Sequence, residues 1–183
     1  KALGLLTEMT SVCVPANTIT YNAAVSACEK GGKWVKALEV LADMAAKRVE
    51  LDTITYSAAV SACEKSGEWA QALGWFAEMM ASHVELDNIA CNAAISACEK
   101  GDEWAQALGL LAGMVAGHVE CDTITYNAAM SSCAKAGEWA QAVSLWVEMM
   151  SACVGLSAIS YSAAVSACEK GGEWAKALGI LSE

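Results

Sequence analysis

Five tryptophans set the frame for this 183-residue chain: Trp34, Trp69, Trp104, Trp139 and Trp174 stand 35 residues apart. Tyr21, Tyr56, Tyr126 and Tyr161 keep the same register, with Cys91 in the third copy, and so do Met44, Met79, Met114 and Met149. The copies run over 18–52, 53–87, 88–122, 123–157 and 158–183, the last incomplete, after a partial copy at 1–17. Units of this length bury their apolar faces only against neighbouring units, so the period predicts a solenoid rather than a globule with one central core. Solenoids close with polar capping units. The chain opens on Lys1 and stops at Glu183 in mid-pattern, so a section of a longer array is expected.

Each copy reads as two helices. Tyr21, Ala24, Val25 and Cys28 fall at i, i+3, i+4 and i+7, one face of an α-helix. Gly31-Gly32 break it, and Trp34, Ala37, Leu38, Leu41 and Met44 form the stripe of a second helix. The loop Arg48 to Asp52 closes the unit, with Asp52 or Thr53 placed to cap the next helix. Glu68, Glu103, Glu138 and Glu173 stand where a helix dipole favours negative charge. The expected fold is all-α: a right-handed α-solenoid of about five helix-turn-helix repeats in one array. The Ala-rich first helices permit close approach, and the Trp ladder of the second helices is expected to fill the core.

Composition removes several function classes. With 56% apolar residues and one Pro, the chain is no disordered linker. Eleven Lys and Arg against 21 Asp and Glu give a net charge of −10, against non-specific binding to nucleic acid or to anionic membranes, and DNA is not an expected partner. The uncharged stretches from Thr10 to Cys28 and from Met149 to Cys168 read as helix–loop–helix junctions rather than membrane spans. No targeting segment is visible. Five of the nine cysteines follow the period and no C-x-x-C pair exists, which points to small buried thiols rather than a metal centre. His83 and His118 are equivalent loop residues 35 apart, a duplication rather than a dyad. No nucleophile–base pair or Gly-rich phosphate loop stands beside them, so neither an enzyme nor a cofactor is expected.

The copies resemble pentatricopeptide repeats. The matching text is Thr20-Tyr21-Asn22, Gly31, Ala37-Leu38 and Met44, and again Thr125-Tyr126-Asn127, Gly137, Ala142-Val143 and Met149. The tetratricopeptide pattern has 34 residues and two residues between its Trp and Leu; here Trp69-Ala70-Gln71-Ala72-Leu73 has three. The resemblance implies one base of single-stranded RNA per repeat. It assigns packing against the base face to Ile19, Ile54, Ile89, Ile124 and Ile159. It assigns the base edge to the fifth residues Asn22, Ser57, Asn92, Asn127 and Ser162, and to the last residues Asp52, Asp87, Asp122 and Ser157, with Asn17 ending the partial copy. It assigns the phosphates to Lys30, Lys65, Lys100, Lys135 and Lys170. Asn with Asp suggests U, Ser with Asp suggests G, Asn127 with Ser157 a pyrimidine and Ser162 a purine, so the implied tract is U-G-U-pyrimidine-purine. Residence in a plastid or mitochondrion is implied in the same way. The same Asn and Asp types also serve as local backbone partners and helix caps.

The charge count leaves two readings open. Glu29, Glu64, Glu99 and Glu169 lie seven residues beyond the proposed base readers, on the same helical face. With Asp52, Asp87 and Asp122 they place seven acids against five lysines, and Arg48 is the chain's single Arg. The first reading is an RNA-binding array of modest affinity, serving RNA processing, stability or translation. The second is a scaffold subunit of a larger assembly, organellar ribosomal, photosynthetic or respiratory, that holds a partner protein on its solenoid surface.

Overall fold

The helices begin where side-chain oxygens meet the first free backbone N–H groups. In the computed structural model, which describes residues 16–181, Asn17, Asp52, Asp87, Asp122 and Ser157 each accept a bond from the backbone amide three residues on. These caps open α1 (Thr18–Lys30), α3 (Thr53–Lys65), α5 (Asn88–Lys100), α7 (Thr123–Ala136) and α9 (Ala158–Lys170). At Asp52, Asp122 and Ser157 the third residue's hydroxyl also accepts from the cap's own N–H, a closed capping box. The second helices all open on the repeated Trp: α2 (Trp34–Ala46), α4 (Trp69–Ala81), α6 (Trp104–Ala116), α8 (Trp139–Ser151) and α10 (Trp174–Leu181). The described residues contain helices and no strand, an all-α helical repeat fold.

The helix ends share one device. The amides of Arg48 and Val49 donate to the Ala45 and Met44 carbonyls, a Schellman pair, and the same pair closes α4, α6 and α8. The residue at its pivot takes the left-handed conformation, which favours glycine. Here it is Arg48, His83, His118 or Cys153, at φ of 54° to 55°. At the ends of the first helices the pivot is Gly32, Gly67, Gly137 or Gly172, with Asp102 in the third copy.

The chain divides into two units at Ala94/Ile95, inside α5. In the first unit α1 packs on α2 and α3, and α3 on α2 and α4. Tyr21, Ala24, Val25 and Cys28 of α1 meet Ala37, Val40, Leu41 and Met44 of α2, with Ala58, Ala59 and Ala62 of α3 closing the cluster. In the second unit α7 packs on α6, α8 and α9, and α9 on α8 and α10.

The Trp ladder is not the core. Trp34, Trp69, Trp104 and Trp139 are half-buried and Trp174 is 73% exposed. Trp34 packs against the first unit's core while staying half-buried, and the interior is filled by the Met, Leu and Ala one to three turns further on. Met44, Met79 and Met149 are fully enclosed. Cys28, Cys63, Cys91, Cys98, Cys133 and Cys168 are buried, Cys121 is half-buried and Cys153 exposed, while Cys13 lies outside the described residues. Burial pushes the thiols of Cys63, Cys98 and Cys133 up to about 11, helped by Glu68, Glu103 and Glu138 respectively. No described helix is long and apolar enough to cross a membrane. The stretch from Met149 to Cys168 is the end of α8, a loop and most of α9; the part of the other stretch before residue 16 lies outside the described residues.

Candidate functional site

The first helices carry one apolar residue outward in every copy. Ile19, Ile54, Ile89, Ile124 and Ile159, each the second residue of its helix, are 59% to 77% exposed. A branched apolar side chain held in water five times in one register is not packing, because the core lies on the opposite face.

Beside this residue lies a polar pair that ties the two ends of each copy together. Asn22 holds its amide nitrogen 3.0 Å from both carboxylate oxygens of Asp52. Ser57 donates to Asp87 at 2.8 Å, and Asn127 donates to Ser157 at 3.2 Å. The next copy adds a third member, for the Thr55 hydroxyl donates to the Asn22 carbonyl and the Ser160 hydroxyl to that of Asn127. The pair residues Asn22, Ser57 and Asn127 are only 4% to 9% exposed, so their side chains are fixed before any ligand arrives. Asn92 and Ser162 are more open, half-buried and exposed respectively. The last residues Asp52, Asp87, Asp122 and Ser157 are half-buried and double as the caps of the following helices. Asn17 is exposed and caps α1.

The electrostatics of the pair follow from this geometry. Burial works to raise the pKa of Asp52, but bonds from the Thr55 amide, the Thr55 hydroxyl and the Asn22 amide outweigh it and hold the carboxyl below the usual range. The pair is therefore a charged acceptor at neutral pH. Spare capacity differs between copies: Asn127 has two N–H donors and Ser157 occupies one, whereas the carboxylate of Asp52 is already met by the Thr55 amide, the Thr55 hydroxyl and, at both oxygens, the Asn22 amide.

The lysine ladder is exposed, as a phosphate contact needs, but it is not free. Lys30, Lys65, Lys100, Lys135 and Lys170 are all exposed in the last turns of the first helices. Lys65 meets Glu29 at 2.7 Å and Lys135 meets Glu99 at 3.1 Å. Each pair runs back 36 residues, from one copy to the copy before it. Two of the glutamates counted as excess acid in the sequence, Glu29 and Glu99, are thus partners of lysines. This cross-copy pairing has no signal in a single helix and was not visible from residue spacing along one face.

In the second unit a groove of about 500 Å³ opens between α7 and α9. Ile159, Ser162, Lys135 and Lys170 line it, so a packing residue, a base-edge residue and two lysines share one cleft.

The repeat and its fold are shared with known proteins. A PPR repeat family model matches residues 16–65, and a PPR repeat model matches residues 54–84, 124–154 and 159–183. No curated protein sequence matches the chain. Among solved structures, the pentatricopeptide repeat protein PPR10 from maize is 25% identical with a TM-score of 0.71, over 98% of this chain and 26% of that one. The structure of PPR10 in complex with an 18-nt psaJ RNA element is 22% identical with a TM-score of 0.72, over 99% of this chain and 28% of that one. The PPR domain of Arabidopsis thaliana protein-only RNase P 1 in complex with tRNA is 15% identical with a TM-score of 0.83, over 91% of this chain and 88% of that domain. The chain therefore spans about a quarter of the length of the maize protein and most of the length of the Arabidopsis domain. With repeat models matching well over half of its length and the fold in accord, the chain belongs to the pentatricopeptide (PPR) repeat family.

Proposed function

We propose that this chain binds single-stranded RNA, one base per repeat, as a continuous array of repeats bounded as the period sets them. The observation that carries the reading is the outward Ile beside a pre-ordered polar pair. The Ile supplies an apolar shelf for a base face, and the pair offers a donor and an acceptor for a base edge. Two similar structures contain RNA, an 18-nt element in one and tRNA in the other, which supports the same reading. The base edge would be met by Asn22 with Asp52, Ser57 with Asp87, Asn92 with Asp122, Asn127 with Ser157, and Ser162. A role in RNA processing, stability or translation within a plastid or mitochondrion belongs to this proposal and rests on the family alone. The proposal assigns binding and no catalysis: His83 and His118 are exposed pivots of helix ends.

The scaffold reading draws on one observation, that Glu29 and Glu99 already hold two of the phosphate lysines. Titration of the chain with a short single-stranded RNA carrying U-G-U-pyrimidine-purine, against a scrambled control, separates the two. Micromolar binding that weakens with salt and prefers the cognate RNA is expected. No binding at low salt by the folded chain would reject the RNA reading in favour of the scaffold.

A further inference from the structure

Among the lysines that follow another first helix by 36 residues, the ladder is broken at one step. Lys65 and Lys135 each take a glutamate 36 residues earlier, Glu29 and Glu99. For Lys170 that position is Ala134. Among the described residues Lys170 has no carboxylate partner, and its ammonium reaches only the Lys135 carbonyl at 3.4 Å. The groove it borders carries no acidic residue: Ser131, Ser162 and Ser166 supply hydroxyls, Lys135 and Lys170 supply charge. In a chain of net charge −10 this is a cleft with an uncompensated cation and three hydroxyl groups.

A phosphodiester that meets Lys65 or Lys135 must displace a carboxylate that stays close by and repels it. At Lys170 no carboxylate has to be displaced, only the bond to the Lys135 carbonyl. We propose that Glu29 and Glu99 act as built-in competitors of the RNA backbone, and that the Ala134 gap makes the groove between α7 and α9 the step at which phosphate is chiefly held, by Lys170. The inference rests on the RNA-binding reading above and adds to it a position: contact with the backbone is concentrated between the fourth and fifth copies rather than spread along the ladder.

The test is the salt dependence of binding of the U-G-U-pyrimidine-purine RNA to the whole chain and four variants, K65Q, K170Q, E99Q and A134E. Each lysine that engages a phosphate of single-stranded RNA contributes about 0.7 to the slope of log affinity against log salt. K170Q is expected to weaken binding about threefold to tenfold and to lower the slope by about 0.7, while K65Q changes neither. A134E supplies the missing carboxylate and is expected to reproduce K170Q with the lysine still present. E99Q frees Lys135 and is expected to tighten binding and raise the slope by about 0.7. Lys65 and Lys170 are exposed, Glu99 is half-buried and Ala134 is 5% exposed at the wall of the groove, and unchanged helical content and melting temperature verify the fold of each variant. If the unaltered chain and E99Q both fail to bind RNA at low salt, the RNA-binding reading falls and this inference with it. If the chain binds but K65Q and K170Q lose equally and A134E is neutral, the backbone is held evenly along the ladder. The inference then falls alone.

Discussion

Asp52 joins a structural role to the recognition role proposed for it. It caps α3 through the Thr55 amide and grips the Asn22 amide, and these bonds keep its carboxyl below the usual range against the opposing effect of burial. A carboxyl depressed in the folded state contributes stability that is present above its unfolded value, about 3.9, and is lost as pH falls through the lower folded value. Asp52→Asn keeps a capping oxygen but removes the titration. Its stability is expected to fall less steeply than that of the parent below about pH 4, as read from thermal melts across pH. Asp52→Ala removes the cap as well and is expected to cost about 1 to 2 kcal/mol at neutral pH. A different local cost sits at the helix pivots, where His83 and His118 hold a left-handed conformation near φ 55° that a Cβ disfavours. His83→Gly and His118→Gly are each expected to stabilise by about 1 kcal/mol. A melting temperature unchanged or lowered by both would show that the pivots carry no strain.

At the scale of the helix, the residues of the first copy located its junctions: the Gly31-Gly32 break and the Trp34 start stand in the structure as read, and of the two caps offered, Asp52 and Thr53, the structure selects Asp52. What the period did not carry is depth. A residue repeated every 35 positions is under the same constraint in each copy, but the pattern does not distinguish a buried site from a half-buried one. The Trp residues, largest and most regular, read as core, yet they open their helices at the edge of the packing and stay half-buried, while Met79 two or three turns on is enclosed. Met79→Ala is therefore expected to cost about 2 to 5 kcal/mol, and Trp69→Ala clearly less. Chemical denaturation of the two variants checks the order, and the reverse order would return the Trp ladder to the core.

Over the molecule as a whole, the site was legible as a set of residues but not as a set of contacts. The outward Ile, the fifth residue and the last residue could each be placed in register from the family pattern. That Asn22 and Asp52, 30 residues apart, are bonded to each other arises from how one copy folds its two ends together, and that Lys65 reaches back 36 residues to Glu29 arises from how copies stack, which no single copy encodes. The acidic balance then changes meaning, because part of it is partnered by the lysines it was set against. The central claim is that each copy reads one base through its own polar pair. Ser57→Asn tests it most directly, since it gives the second copy the Asn and Asp combination of the first, with Asp87 in the place of Asp52. Selection from a randomised single-stranded RNA pool by the parent and by this variant is the measurement. The account predicts a change from G to U at one position of the bound sequence, with its neighbours unaltered. An unchanged sequence, or a loss of preference spread over several positions, would contradict it.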